Sequence, residues 1–440
     1  MKIQKSKSEL KNMAKNLALL FLTLLLVLLT ALGWVYDLSL TDIPRESWLG
    51  RWYINLNYGE AGGFELRSGE IPAALPAEFA VRTAEEMRGA QYNEIAVRSF
   101  LATYGSQVSA ALSSITEMRQ GTEQAYEEAL SLPGVYFRYD SRLPLSLITN
   151  WVGGTYVGEE DPIVQSVLLG QDGALWIRTD TYTLYETKVK PMEGTLSAND
   201  LAGLPCCFAA EQEYPNVLPE TLLFPQTMEL HRLTSEAPQF NTDSQASLQI
   251  LLQAFGYAPY MRNYEDTGTK SRVFVGNQST LRVGSDGEVV FRANTVEGGL
   301  EAYLQNELGK EQPLPYQIDY ARSLLENIFQ SFSADATFFC DSYLTEEKTT
   351  QILFRYVVNG VPVEGQEGIL AVMEYQSNTL VSAKLNLRSF RQMEESQMLM
   401  PTAPAAAAAE LPCSLAVGYF ADESGGLIPS RYYVKEEHGR

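Results

Sequence analysis

ARSLLENIFQSFSADATFFCDSYL (321–344), continued by TQILFRYVVNGVPVEG (350–365), changes its apolar period from that of a helix to that of strands. Ala321, Leu324, Leu325, Ile328, Phe329 and Phe332 recur at helical spacing and make one apolar stripe. ATFFCDSYL (336–344) and TQILFRYVV (350–358) then read as strands. Asn359-Gly360 between TQILFRYVV and VPVEG signals a hairpin, because a two-residue turn of this kind needs positive φ at its centre. Strands continue through ILAVMEYQSNTLVSAKLNLRSF (369–390). A helix followed by an antiparallel meander covers its stripe with one sheet face, so the fold class is α+β.

The same layout occurs once more upstream. Asp243 or Ser244 can cap a helix carrying Leu248, Leu251, Leu252 and Phe255, which Gly256 ends. SRVFV (271–275), STLRV (279–283) and EVVFRANT (288–295) follow as strands, with Ser285-Asp286-Gly287 as a turn. Residues 231–310 and 311–440 are therefore read as two helix-plus-meander modules. PTAPAAAAAE (401–410) reads as a linker or long loop within the second, and 413–434 as a final hairpin that adds strands to that domain. Residues 37–230 form an N-terminal ectodomain region. In it, AEEMRGAQYNEIAVRSFLATYGSQVSAAL (84–112) and GTEQAYEEALSL (121–132) predict a helical block over 83–132. VYFRYDSRLPLSLI (135–148) reads as extended, and Asp172-Gly173 as a hairpin turn within 164–189.

The charge is unevenly distributed. The chain of 440 residues has a net charge of -21, yet residues 1–36 contain five lysines and one acid, which leaves -25 on the remainder. Between the last of those lysines and Asp37 lies NLALLFLTLLLVLLTALGWVY (16–36), 21 residues without a charge and long enough to span a bilayer as a helix. The positive-inside rule puts a tail, residues 1–15, in the cytoplasm and everything after about Asp37 outside. The expected localisation is thus the cell membrane, single-pass, with most of the chain extracytoplasmic. A cleavable signal peptide is the competing reading, with Ala31-Leu32-Gly33 loosely matching a cleavage site; the length of the apolar run favours an uncleaved anchor. Thr23, Thr30 and Ala31 mark one candidate face for a partner helix, and a lipid-facing placement of the same residues is the alternative.

Chemistry is poorly represented. Two histidines, His231 and His438, leave little from which to build a catalytic triad or a multi-histidine metal site, and no serine stands in G-x-S-x-G. The acid groups Glu159-Glu160-Asp161, Glu265-Asp266 and Glu346-Glu347 lie in turn-like surroundings and read as solvated charge. No P-loop, dinucleotide fingerprint or calcium loop occurs, and a sequence pI near 4.6 disfavours nucleic acid. No enzyme activity, cofactor or metal is expected; exposed apolar surface is the better candidate for function. Cys206, Cys207, Cys340 and Cys413 leave two readings open: buried free thiols, or one bridge from the vicinal pair to Cys340 or Cys413.

Three phrases carry a family resemblance: VYFRYDSRLPLSLI, the helix followed by FRYVVNGVPVEG (354–365), and LAVGYFADESGGLIPSRYYV (415–434). Together with the lysine-rich leader and single apolar run, they resemble the YycH and YycI group of membrane-anchored accessory proteins and PepSY-like helix-plus-meander modules. Tyr432 stands one step later after Pro429 than the closing hairpin of that group leads one to expect. The resemblance implies a non-enzymatic regulator of a sensor histidine kinase in a cell-envelope two-component system, acting largely through transmembrane contacts. The kinase and a related accessory membrane protein are the implied partners. A cell-envelope glycan or peptide hydrolase, and a PepSY-like inhibitor or ligand-binding ectodomain, are the alternatives.

Overall fold

The computed structural model describes residues 74–192, 196, 203–210, 213–238, 245–258, 261–301, 314–329, 336–410, 413–422 and 425–435. The candidate membrane segment 16–36, with Thr23, Thr30 and Ala31, lies outside the described residues, as do Phe332 and His438. Among the described residues no helix is long and apolar enough to cross a membrane.

The first sheet has seven antiparallel strands, in the spatial order Met87–Gln91, Glu78–Arg82, Gly134–Pro144, Ile163–Gly170, Ala174–Thr179, Leu184–Lys188 and Arg119–Gln120. Helices α1 (Glu94–Leu112), α2 (Glu123–Leu130) and α3 (Leu145–Trp151) cover both its faces. Strand alternation sets the layers. Val135 and Phe137 join Val97, Phe100 and Ile148 of α1 and α3. Tyr136, between them, points the other way and joins Tyr126 and Leu130 of α2 with Trp176. The helical block expected over 83–132 is therefore two helices on opposite faces of a sheet.

Its first residues are not helical at all. Thr83 accepts the backbone N–H groups of Glu85 and Glu86 in a turn between Glu78–Arg82 and Met87–Gln91. A Cβ on Gly89 would lie 2.3 Å from the Phe79 carbonyl oxygen, so the strands approach there only because the residue is glycine. Asn93, accepting from the Ala96 N–H, starts α1. The extended reading of 135–148 likewise stops at Pro144, where the chain turns into α3 and buries Leu145, Ile148 and Trp151.

The second sheet runs Asn263–Asp266, Ser271–Val275, Ser279–Gly284, Glu288–Ala293, Thr379–Asn386, Ile369–Gln376, Thr349–Val358, Thr337–Glu346, with two short strands attached. Two meanders join edge to edge where Glu288–Ala293 pairs with Thr379–Asn386. Helices α4 (Gln245–Ala254) and α5 (Leu314–Phe329) contact each other, and Phe255 just past the end of α4 stacks on Phe291 at 5.3 Å. Ile318, Ala321, Leu325 and Ile328 of α5 are buried in the same core as Phe354 and Tyr356. α5 begins seven residues before the expected stripe, with Pro315 in its first turn, where a missing N–H costs nothing. Asn359 (φ 52°) and Gly360 (φ 85°) form the expected turn.

The final hairpin, Cys413–Ala421 with Gly426–Lys435, builds a separate four-stranded sheet instead of extending the preceding meander. Its partners are Glu229–Glu236 and Ser389–Met398. The expected linker 401–410 contains α6 (Thr402–Ala407), whose Ala405 and Ala406 pack with Leu223 and Leu415. Thr402 ties it down: its hydroxyl donates to the Phe224 carbonyl at 3.1 Å. Alanine has a high helix propensity, and a run of it after a proline suits one short helix as well as a loop.

Candidate functional site

These three sheets meet around a cleft of about 320 Å³, and the three phrases named above supply half of the residues that line it. Strand Gly134–Pro144 contributes Arg138, Tyr139, Asp140 and Arg142. Its register against Ile163–Gly170 shifts between Arg138 and Leu143, and that bulge turns residues 139–142 toward the cleft. From the second sheet come Asp341, Arg355, Gly360 and Glu364. The closing hairpin forms the floor: Ser414, opposite Val434, and Ala416, opposite Tyr432, share one face. Small side chains at 414 and 416 line the cleft, and Gly418 makes room for Glu364.

Hydrogen bonds across the sheet boundaries hold this arrangement. The Tyr92 hydroxyl donates to Asp140 Oδ2 at 2.9 Å and accepts the Val417 N–H at 2.9 Å, linking the first sheet to the hairpin. Arg138, 7% exposed, pairs with Glu78 at 3.1 Å and with Asp140. Arg355 pairs with Asp341 at 2.8 Å and with Glu364 at 3.1 Å, and donates to the Val363 carbonyl. Glu364 accepts from the Tyr432 hydroxyl at 2.9 Å, and its N–H donates to the Tyr419 carbonyl at 2.7 Å. A Cβ on Gly418 would stand 2.6 Å from Glu364 Cγ, which gives the Gly-Tyr pair of the closing hairpin its physical reason.

Burial shifts the titrating groups. It pushes the Tyr92 and Tyr432 hydroxyls up, so both stay protonated and donate. Burial also pushes the Glu364 carboxyl above its ordinary 4.5, against the opposing pull of Arg355 and the Tyr432 hydrogen bond. The folded chain therefore holds this proton over a pH range in which the unfolded chain has lost it. The contribution of Glu364 to stability is greatest below about 4.5 and declines as pH rises through the folded value. Urea midpoints of Glu364→Gln, followed from about pH 4.5 to 7, are expected to lose that part of the decline; equal slopes in both proteins would show that Glu364 does not titrate there.

The residues singled out for chemistry in the sequence lie elsewhere. His231 is exposed on Glu229–Glu236, its Nδ1 3.1 Å from the Met393 carbonyl. Asp161 accepts from the N–H and hydroxyl of Ser146 at the start of α3. All four cysteines are free thiols, with Cys206 exposed and the others buried, so no bridge joins the vicinal pair to Cys340 or Cys413. Among the described residues no group of three or more His, Cys, Asp or Glu is placed to hold a metal ion. Large exposed apolar side chains, such as Ile95, Val157, Tyr264, Leu344 and Met398, come from separate parts of the fold. Sequence reasoning missed the cleft because its wall from Gly134–Pro144 lies about 200 to 300 residues before the other two in the chain; the available signal was the pair of small residues Ser414 and Ala416 on one strand face.

Fold and site together define an α+β protein of antiparallel sheets with a polar, ion-paired cleft where they join. No protein family and no curated protein matches the sequence. Among solved structures, a crystal structure of YycH from Bacillus subtilis is similar at a TM-score of 0.47 and 13% identity, covering 83% of this chain and 98% of that one.

Proposed function

We propose that the protein is a membrane-anchored, non-enzymatic regulator that modulates a sensor histidine kinase of a cell-envelope two-component system through transmembrane and ectodomain contacts. The observation that carries this reading is the division of charge: five lysines, 21 uncharged residues, then a body of -25. Such a layout suits a chain held in the membrane with its folded part outside, where a strongly negative body disfavours nonspecific adhesion to anionic polymers. The sequence resemblance supports the same role, and its three phrases meet at one place in the fold. The arginines lining the cleft at 138 and 355 are engaged in ion pairs within their own sheets, and the hydroxyls of Tyr92 and Tyr432 tie those sheets to the hairpin, an arrangement suited to holding a shape that a partner reads.

Full-length protein is expected to co-purify with a membrane histidine kinase, and exchange of residues 16–36 for an unrelated apolar helix to abolish this. Absence of any association in membranes would sink the reading. A ligand-binding ectodomain is the second reading, favoured by the cleft.

A further inference from the structure

We propose that the cleft at the meeting of the three sheets binds a primary amine, held as an ammonium group. Acids outnumber bases on its walls: Glu94, Asp140, Asp180, Asp341 and Glu364 against Arg138, Arg142 and Arg355. Arg138 and Arg355 are already engaged by carboxylates, and Glu94 pairs with Arg98. Asp180 lines the cleft with no ion pair or side-chain hydrogen bond among the described residues.

Two further groups point to what is missing. Ser414, 5% exposed, lines the cleft and its hydroxyl has no partner among the described residues. Gln165, at the bulge between Val164 and Ser166, has its amide oxygen buried without a donor, and it too lines the cleft. A buried polar atom left without a partner is costly, and the Gln165 oxygen is such an atom. The groups open to a ligand are a buried amide oxygen, a half-buried carboxylate and a hydroxyl, all of which accept hydrogen-bond donors. An ammonium supplies three donors and no acceptor. The rings of Tyr139, Tyr182, Phe339 and Tyr432 also line the cleft and offer faces to a cation and its alkyl stem. A phosphate or carboxylate ligand would instead bring acceptors into a wall already rich in them. This assignment is independent of the kinase reading.

Calorimetric titration of the full-length protein in detergent with cadaverine tests it. Saturable binding is expected, with N,N′-diacetylcadaverine inert. Asp180→Asn should weaken binding about tenfold, because a charge-assisted hydrogen bond is lost, and Ser414→Ala a few-fold. Arg142→Ala, which removes the exposed cation at the rim, should leave affinity unchanged or raise it. Nα-acetyl-lysine methylamide in a parallel titration distinguishes a free amine from one carried on a peptide, and binding of either supports the site. No binding of either amine, or binding equal in wild type, Asp180→Asn and Ser414→Ala, would overturn it, the latter being charge condensation on the acidic body.

Discussion

Gly360→Ala is expected to destabilise the protein by about 3 kcal/mol, from a left-handed backbone that a side chain disfavours and an overpacked contact. Gly360 has φ 85°, and an added Cβ would lie 2.4 Å from the carbonyl oxygen of Tyr92. That oxygen cannot retreat easily, since Tyr92 itself is at φ 50° and its hydroxyl is fixed by Asp140 and Val417. The turn of the second sheet thus sits directly on the strand exit of the first. Asn359→Gly is the control: position 359 is already left-handed at φ 52° and asparagine tolerates it, so this change should cost well under about 1 kcal/mol. Urea unfolding of the two variants separates the outcomes. Equal, small effects would mean that the contact with Tyr92 yields without cost.

The same turn shows how far the sequence could be read. Asn359-Gly360 announces a hairpin through local chemistry alone, as do Asp172-Gly173 and Asp286-Gly287, whose glycines lie at φ 83° and 86°. Helix α5 and the meander after it are legible for the same reason, because both periods are written within a few dozen residues. What local pattern does not contain is the partner of each surface. Nothing within Glu229–Glu236 says that it pairs with strands about 160 and 190 residues later. MRGAQ (87–91) resembles helix until Gly89 is placed against Phe79, a contact that exists only in the folded sheet. The cleft belongs to this second kind. Arg138, Arg355 and Glu364 were visible as members of the quoted phrases, but the ion pairs of the two arginines with other strands of their sheets and the hydrogen bond of Glu364 to the hairpin depend on bulges and registers that no single phrase encodes.

Glu220 is the position where the largest loss is expected. The sequence around it, Leu218-Pro219-Glu220-Thr221, gives no hint of importance. In the fold its side chain is 2% exposed and lies 2.5 Å from Arg178, also 2% exposed, which stands 5.0 Å over the ring of Tyr126. Glu123 of α2 supplies a second carboxylate at 2.8 Å, from a side chain 58% exposed. These carboxylates hold the Arg178 guanidinium charged despite its burial. Glu220→Ala removes the buried member of the pair and leaves Arg178 with only the solvated Glu123, so a loss of about 3 kcal/mol or more is expected, toward the range of about 3–5 kcal/mol for breaking a buried pair. The double change Arg178→Met with Glu220→Met should cost much less than the single one, since no charge remains to be desolvated. Denaturant unfolding of both variants tests the pair. A single substitution costing under about 1 kcal/mol would mean that Glu123 alone neutralises Arg178. A double substitution as costly as the single one would mean instead that the loss is one of packing around Tyr126 and Trp176, whose rings are 5.8 Å apart in the same layer.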